Sequence, residues 1–241
     1  MAACNAPLEA TPDPTPQPII IAITPGLQPL REALHRCAVA NPKIGLLVNE
    51  IPATAFTEVK ADLAIRLGAP AEGMPYAAPL AWEQIAVIVH PDSPVKSLDG
   101  EILRGLFTGQ IRNWEAVGGM DQEVQIWAYL SGDEIRQVFE AGLFEGEPIS
   151  SLALLAPDPA FMLEAIAADP AAIGYLPGAW MNGEVRALNL SKELSNSLRA
   201  PVLALAPAEP EGAGREFLLC LQTGQGQEEI QQRYQAFERR E

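Results

Sequence analysis

Apolar residues along this chain fall into short runs and helical stripes that alternate from one end to the other. Residues 19–23 (IIIAI) form a continuous apolar run of strand length, residues 29–39 place Leu30, Ala33, Leu34 and Cys37 on one helical face, and residues 44–48 return to strand patterning. That order is a βαβ unit. Residues 62–65 and 80–89 predict two further strands. Ser97 or Asp99 can cap a helix carrying Ile102, Leu103, Leu106 and Phe107, which Gly109 ends. Residues 124–129 predict a strand and residues 132–142 a helix with Ile135, Val138 and Phe139 on one side. A helix over 159–168, a strand over 172–177 and a strand over 202–205 follow. The last two helices are expected around 217–221 and over Ile230, Tyr234 and Phe237, spaced by four and three. No internal repeat is visible, and the alternation predicts an α/β fold.

Composition narrows the function. A chain of 241 residues with 48% apolar content can bury one large core or two smaller ones. Its 31 acidic residues against 16 basic ones give a net charge of -15, which argues against nucleic acid or an anionic membrane surface as partner. The longest apolar runs are too short to span a bilayer. His35 and His90 stand without a nearby second ligand, so no metal site or cofactor is expected. Ser131 with either histidine lacks a nucleophile motif and Cys37 lacks a paired base, so an enzyme is not expected.

The first residues carry a different signal. Ala2-Ala3-Cys4 resembles the end of a bacterial lipobox, without its opening leucine, and residues 11–18 place proline at alternate positions. Such a stretch is expected to be an extended spacer of roughly 30–45 Å, with Cys4 the lipid attachment site and residues 1–18 the tether. A disordered tail with an incidental cysteine is the alternative. Setting Cys4 aside leaves Cys37 and Cys220, both in apolar helical patterns; buried free thiols are the expectation and a pair the alternative.

The segment from Val87 to Gly119 reads as strand, loop, short helix and exposed aromatic turn. Its Pro91, Pro94-Val95, Leu98, Leu106-Phe107, Gly109, Ile111, Asn113-Trp114 and Gly118-Gly119 resemble, in order, a segment of the periplasmic phosphate-binding proteins of ABC transporters. DPAAIGYLP at 169–177, GREFL at 214–218 and GQGQ at 224–227 extend the resemblance over about residues 19–237. It implies a two-lobed type II clamp with two crossover strands, closing on its ligand at a hinge. The implied lobes are 19–84 plus 175–241 and 85–174, with crossovers near 84–87 and 173–176. The implied partners are a small-molecule ligand and a transporter permease, for a monomer held outside the cytoplasm and touching the membrane only through a lipid anchor.

The ligand loops of that family are altered here. AITPGLQP at 22–29 keeps Thr24 and Pro29 but lacks the family's serine pair, and NEIPATA at 49–55 puts Pro52, which has no N–H, in the glycine-rich donor loop. DLA at 62–64 matches a family motif, with Arg66 as the arginine found after it in some members. SGD at 131–133 replaces the family's SGT, and Trp127 stands where an arginine is common. Ser131 is expected to cap the following helix, with Glu134 completing a capping box. Carboxylates in that first turn would repel a phosphate anion by several kcal/mol at about 4 Å and an effective dielectric near 20. The expected cleft residues are therefore Thr24, Thr54, Arg66, Trp127, Ser131, Gly132 and Asp133, favouring a zwitterionic, cationic or uncharged ligand over tightly bound phosphate. Trp82, Trp127, Tyr129 and Tyr175 are open to two readings, ligand stacking or core packing. A clamp-fold sensor or interaction lipoprotein without a transport ligand is the alternative function.

Overall fold

A computed structural model describes residues 16–58, 60–68, 74–144 and 146–237. Cys4 and residues 1–15 of the expected tether lie outside the described residues, whereas residues 16–18 of it do not: the first strand already starts at Gln17. Strand β1 (Gln17–Ile23) leads through a 3-10 turn (Pro25–Leu30) into α1 (Arg31–Ala40) and β2 (Ile44–Glu50). Pro18 is tolerated because it pairs only with Gly45 of β2, before the third strand joins at Ile21. A second 3-10 turn (Ala53–Glu58) precedes β3 (Leu63–Leu67) and the long β4 (Tyr76–Val89).

The chain then runs through α2 (Gly100–Phe107), β5 (Gln125–Tyr129), α3 (Glu134–Leu143), β6 (Leu154–Ala156), α4 (Pro159–Ala168) and β7 (Ala172–Pro177). It ends with β8 (Arg186–Ala187), α5 (Lys192–Ser197), β9 (Arg199–Ala206), α6 (Gly212–Thr223) and α7 (Gln225–Ile230). Asp99, not Ser97, caps α2, its carboxylate accepting from the Ile102 N–H at 2.8 Å.

Strand β4 organises the sheet. Its residues 76–84 pair with β9 and its residues 85–89 with β7, in a path ordered β2-β1-β3-β9-β4-β7-β5-β6 with β8 also on β4. The chain does not return to the first half at 173–176. There, among the described residues, β7 pairs only with residues 85–89 of β4 and with β5, and β8 still lies on residues 88–89. The strand that rejoins β3 is β9, with Ala64 opposite Leu205 and Leu67 opposite Val202. Sequence patterning cannot assign these strands to one half or the other, because both are buried on both faces: β7 buries all six of its residues and β9 six of its eight.

The partner switch of β4 is heavily tied. The Gln84 side-chain amide donates to the Ser195 carbonyl at 2.8 Å and the Leu198 carbonyl at 3.2 Å, and the Ile85 N–H donates to Leu198 O at 2.8 Å. Glu83, 1% exposed, accepts from the Gln84 N–H at 2.8 Å through Oε1, while among the described residues its Oε2 has no partner and the Tyr234 hydroxyl near it has none either. Burial pushes the Glu83 carboxyl up to about 8, against backbone N–H groups of Gln84, Ala179 and Gly178 that pull it down.

Two packing expectations are corrected. Cys37 and Cys220 form a disulfide rather than free thiols, their Cα atoms 5.8 Å apart, fastening α1 to α6. Gly226 of α7 lies against it: a Cβ there would fall 2.3 Å from Cys37 Sγ, so only glycine fits. The final helix stops at Ile230, and Tyr234 and Phe237 lie beyond it in a strap. Gln235 exchanges backbone hydrogen bonds with Trp82, and the Phe237 ring stacks on the Trp82 ring at 4.8 Å, with the Arg199 guanidinium 4.6 Å from the same indole. A helix would have pulled these side chains off β4.

Reduction of the disulfide, which closes 183 residues of chain, is expected to lower unfolding stability by roughly 3–5 kcal/mol, read as a lower urea midpoint with reductant than without. Because folded Glu83 keeps its proton to about pH 8 and an unfolded glutamate releases it near 4.5, its contribution is present below 4.5 and lost as pH rises through 8. Glu83→Gln is therefore expected to be more stable than the natural protein at pH 9, by on the order of a few kcal/mol, with the gain shrinking toward pH 5.

Candidate ligand cleft

The site begins where β1 stops. β1 ends at Ile23, where Thr24 and Pro25 open the 3-10 turn, so β3 runs two residues past its last pair with β1, Ile23 opposite Ile65. Those two residues are Arg66 and Leu67. Thr24 is buried, and Arg66 is half-buried with its guanidinium 4.6 Å over the Phe56 ring. The turn after β1 and the end of β3 thus present a hydroxyl, a guanidinium and a backbone N–H outside the pairing with β1 to one point.

From the other half of the sheet, α3 delivers a carboxylate to that point. Gly132, at φ 88°, turns the chain so that the helix starts later than its sequence signal predicts. The N-cap is consequently Asp133, accepting from Ile135 N at 2.8 Å and Arg136 N at 3.4 Å, and not Ser131, which is exposed. The expected capping box does not form. Glu134 becomes the first helical residue and reaches across instead, where it is 4% exposed. Its Oε2 accepts from the Thr24 hydroxyl at 3.1 Å and the Leu67 N–H at 3.1 Å, and its Oε1 pairs with Arg66 Nε.

Burial pushes the Glu134 carboxyl up, while the Arg66 charge and the hydrogen bonds of Arg66, Leu67 and Thr24 pull it back. Burial likewise raises Asp133, against the two N–H groups it caps. Around the ion pair the halves meet in van der Waals contact. A Cβ at Gly26 would come within 3.0 Å of Ile135 Cδ1, and one at Gly132 within 3.0 Å of Thr54 Cγ2. The Trp180 indole N–H donates to the Gly26 carbonyl at 2.8 Å.

The expected cleft residues are thus partly brought together. Thr24 and Arg66 share Glu134 as partner, and Gly132 and Thr54 face one another, Thr54 exposed. Asp133 is occupied as a cap. Trp127 packs on Phe161 of α4 at 5.7 Å, and its buried indole nitrogen has no partner among the described residues. Tyr129 and Tyr175 are core: both are fully buried, ring-on-edge at 5.3 Å, and Tyr175 stacks on Phe139 at 3.8 Å. The residue that sequence reasoning assigned only a local role is Glu134. The repeated acid at 133–134 was its one visible signal, since two adjacent acids exceed what one cap needs. Cavities of about 320 Å³ beside Arg112, Glu123 and Asp169 and about 460 Å³ beside Asp62 and Glu211 do not touch this cluster. Among the described residues no His, Cys, Asp and Glu side chains gather as a metal site.

Arg66→Ala would strand a buried carboxylate and is expected to cost roughly 3–5 kcal/mol in urea unfolding, whereas Arg66→Ala combined with Glu134→Gln should recover a large part of that loss. Thr24→Val removes one donor and should cost about 1–2 kcal/mol in the same measurement.

The family model described as PBP superfamily domain matches residues 56–208. The phosphate-binding protein PstS of Bacillus subtilis (strain 168) is 32% identical over 119 residues, which are 46% of this chain and 39% of that protein; the match spans well under half of that relative. A putative phosphate ABC transporter substrate-binding protein with bound phosphate from Clostridium perfringens superposes with a TM-score of 0.80 at 20% identity, covering 90% of this chain and 98% of the other. An ABC-type phosphate transport receptor from Vibrio cholerae gives 0.72 at 20% identity, covering 91% and 100%. These likenesses show the fold, a two-lobed α/β clamp of the type II periplasmic-binding-protein class, and with the model matched over more than half its length, the chain belongs to the PBP superfamily domain family.

Proposed function

We propose that this protein is an extracytoplasmic solute-binding component of an ABC transporter, related to phosphate-binding components, whose cleft does not hold inorganic phosphate tightly. It captures a small molecule between two lobes, presents it to a permease and catalyses no reaction. Residues 17–84 with 199–237 form one lobe and residues 85–198 the other, hinged where β4 changes partners. Cys4 anchors the chain to the envelope by a lipid, with the proline-alternating stretch after it as tether.

One observation carries the phosphate part of this reading. The donors that would hold an anion, Thr24 Oγ1, Arg66 Nε and Leu67 N, already converge on the Glu134 carboxylate. A phosphate at about 4 Å from that carboxylate would be repelled by several kcal/mol at an effective dielectric near 20. The Trp127 indole on Phe161 supplies no cation to offset it. A ligand carrying a positive or uncharged polar group meets no such barrier. The same filled donors favour a second reading, a clamp-fold sensor or interaction lipoprotein that has given up its transport ligand.

Calorimetric titration of the natural protein with inorganic phosphate at neutral pH is expected to show binding weaker than micromolar. Micromolar or tighter binding that Arg66→Ala abolishes would contradict the proposal. Native mass spectrometry of freshly purified protein separates the two readings: a retained small-molecule mass supports the transport component, and its absence after purification from several growth media supports the sensor.

A further inference from the structure

Resting on the reading of the molecule as a solute-binding clamp, we propose that Glu134 is its built-in ligand: Thr24, Arg66 and the Leu67 N–H form an oxyanion site that the chain fills with its own carboxylate, latching the two lobes and barring external oxyanions. The geometry has three parts. The donors all belong to one lobe, on the end of β3 and the turn after β1, while the acceptor belongs to the other, at the first residue of α3. Glu134 is 110 residues from Thr24 and 68 from Arg66, so the contact closes no local turn and caps no helix. Both carboxylate oxygens are engaged on the far lobe, which is what a bound oxyanion would do with the same groups.

A tethered carboxylate acts at an effective concentration in the millimolar range or above, without the translational cost that a free anion meets. An oxyanion in solution must therefore displace Glu134 and accept its repulsion at once. The lobes also meet close to the ion pair in sequence, Gly26 lying against Ile135 and Gly132 against Thr54. Glu134 is thus a specificity determinant: it excludes oxyanions and admits only a ligand that binds beside the latch or carries a group able to pair with it.

The proposal is tested by isothermal calorimetry with inorganic phosphate and with inorganic sulfate, on the full chain, its Glu134→Ala variant and the Glu134→Ala, Arg66→Ala double variant. Removing the carboxylate is expected to tighten binding of at least one of the two anions by about tenfold or more at one site per chain, and the double variant is expected to lose it. A Glu134→Ala protein with native circular dichroism and an intact disulfide that binds neither anion overturns the proposal while leaving the wider functional reading in place. Tight phosphate binding by the natural protein, unchanged by the substitution, overturns both. Where Glu134→Ala does not fold, Glu134→Gln keeps the volume and removes the charge: phosphate or sulfate should then raise its melting temperature more than that of the natural protein, and equal shifts at matched ionic strength overturn the proposal.

Discussion

The carboxylate of Glu134, held by Thr24, Arg66 and the Leu67 N–H, is the buried ion pair that joins the two halves of the molecule, beside the Trp180–Gly26 hydrogen bond and the contacts of Gly26 and Gly132. Taking a carboxylate and a guanidinium out of water costs several kcal/mol per ion, and their mutual attraction alone does not reliably offset it. What tips the balance is completeness. Hydroxyl, backbone N–H and guanidinium all converge on the one carboxylate, each from a group that the end of β1 had left open. The burial that raises the Glu134 carboxyl also makes the arrangement selective, since a half-satisfied version would cost more than an apolar one.

Such a contact is only as accurate as the frame that carries it. In the first lobe the disulfide fixes α1 to α6, and the strap at Gln235 and Phe237 clamps the same sheet to β4. In the second, the stacked rings of Phe139 and Tyr175, with Phe107 edge-on at 4.8 and 5.8 Å, hold α3 on the sheet, and so set where Glu134 starts. Where β4 changes partners, past Glu83 and Gln84, the buried Glu83 Oε2 has no partner among the described residues.

Much of the architecture was legible in the sequence, because buried strands and amphipathic helices carry their own periods. The helix Pro159–Ala168 and the strand Ala172–Pro177 coincide with their apolar patterns, and the Asn113-Trp114 turn closes as its residues imply, with the Asn113 side chain accepting from Glu115 N. Thr24 and Arg66 were named as expected cleft residues from the family motifs that they match, not from periodicity. Glu134 was not, because Ser131 and Glu134 satisfied a local capping rule that needs no distant partner, and only the φ of Gly132 decides which residue caps. The pairing of Cys37 with Cys220 depends on helix packing across 183 residues, which no spacing encodes. The end of the last helix was misread for a related reason: Tyr234 and Phe237 have helical spacing, yet the edge of β4 and the face of Trp82 offered them better partners.

The most direct test of a self-latched clamp is small-angle X-ray scattering of extensively dialysed protein with and without inorganic phosphate. A radius of gyration that matches the structure described above and does not change with phosphate is the predicted result. A larger radius in the dialysed protein that shrinks when phosphate is added would show that the lobes close on an external anion, and would contradict the account.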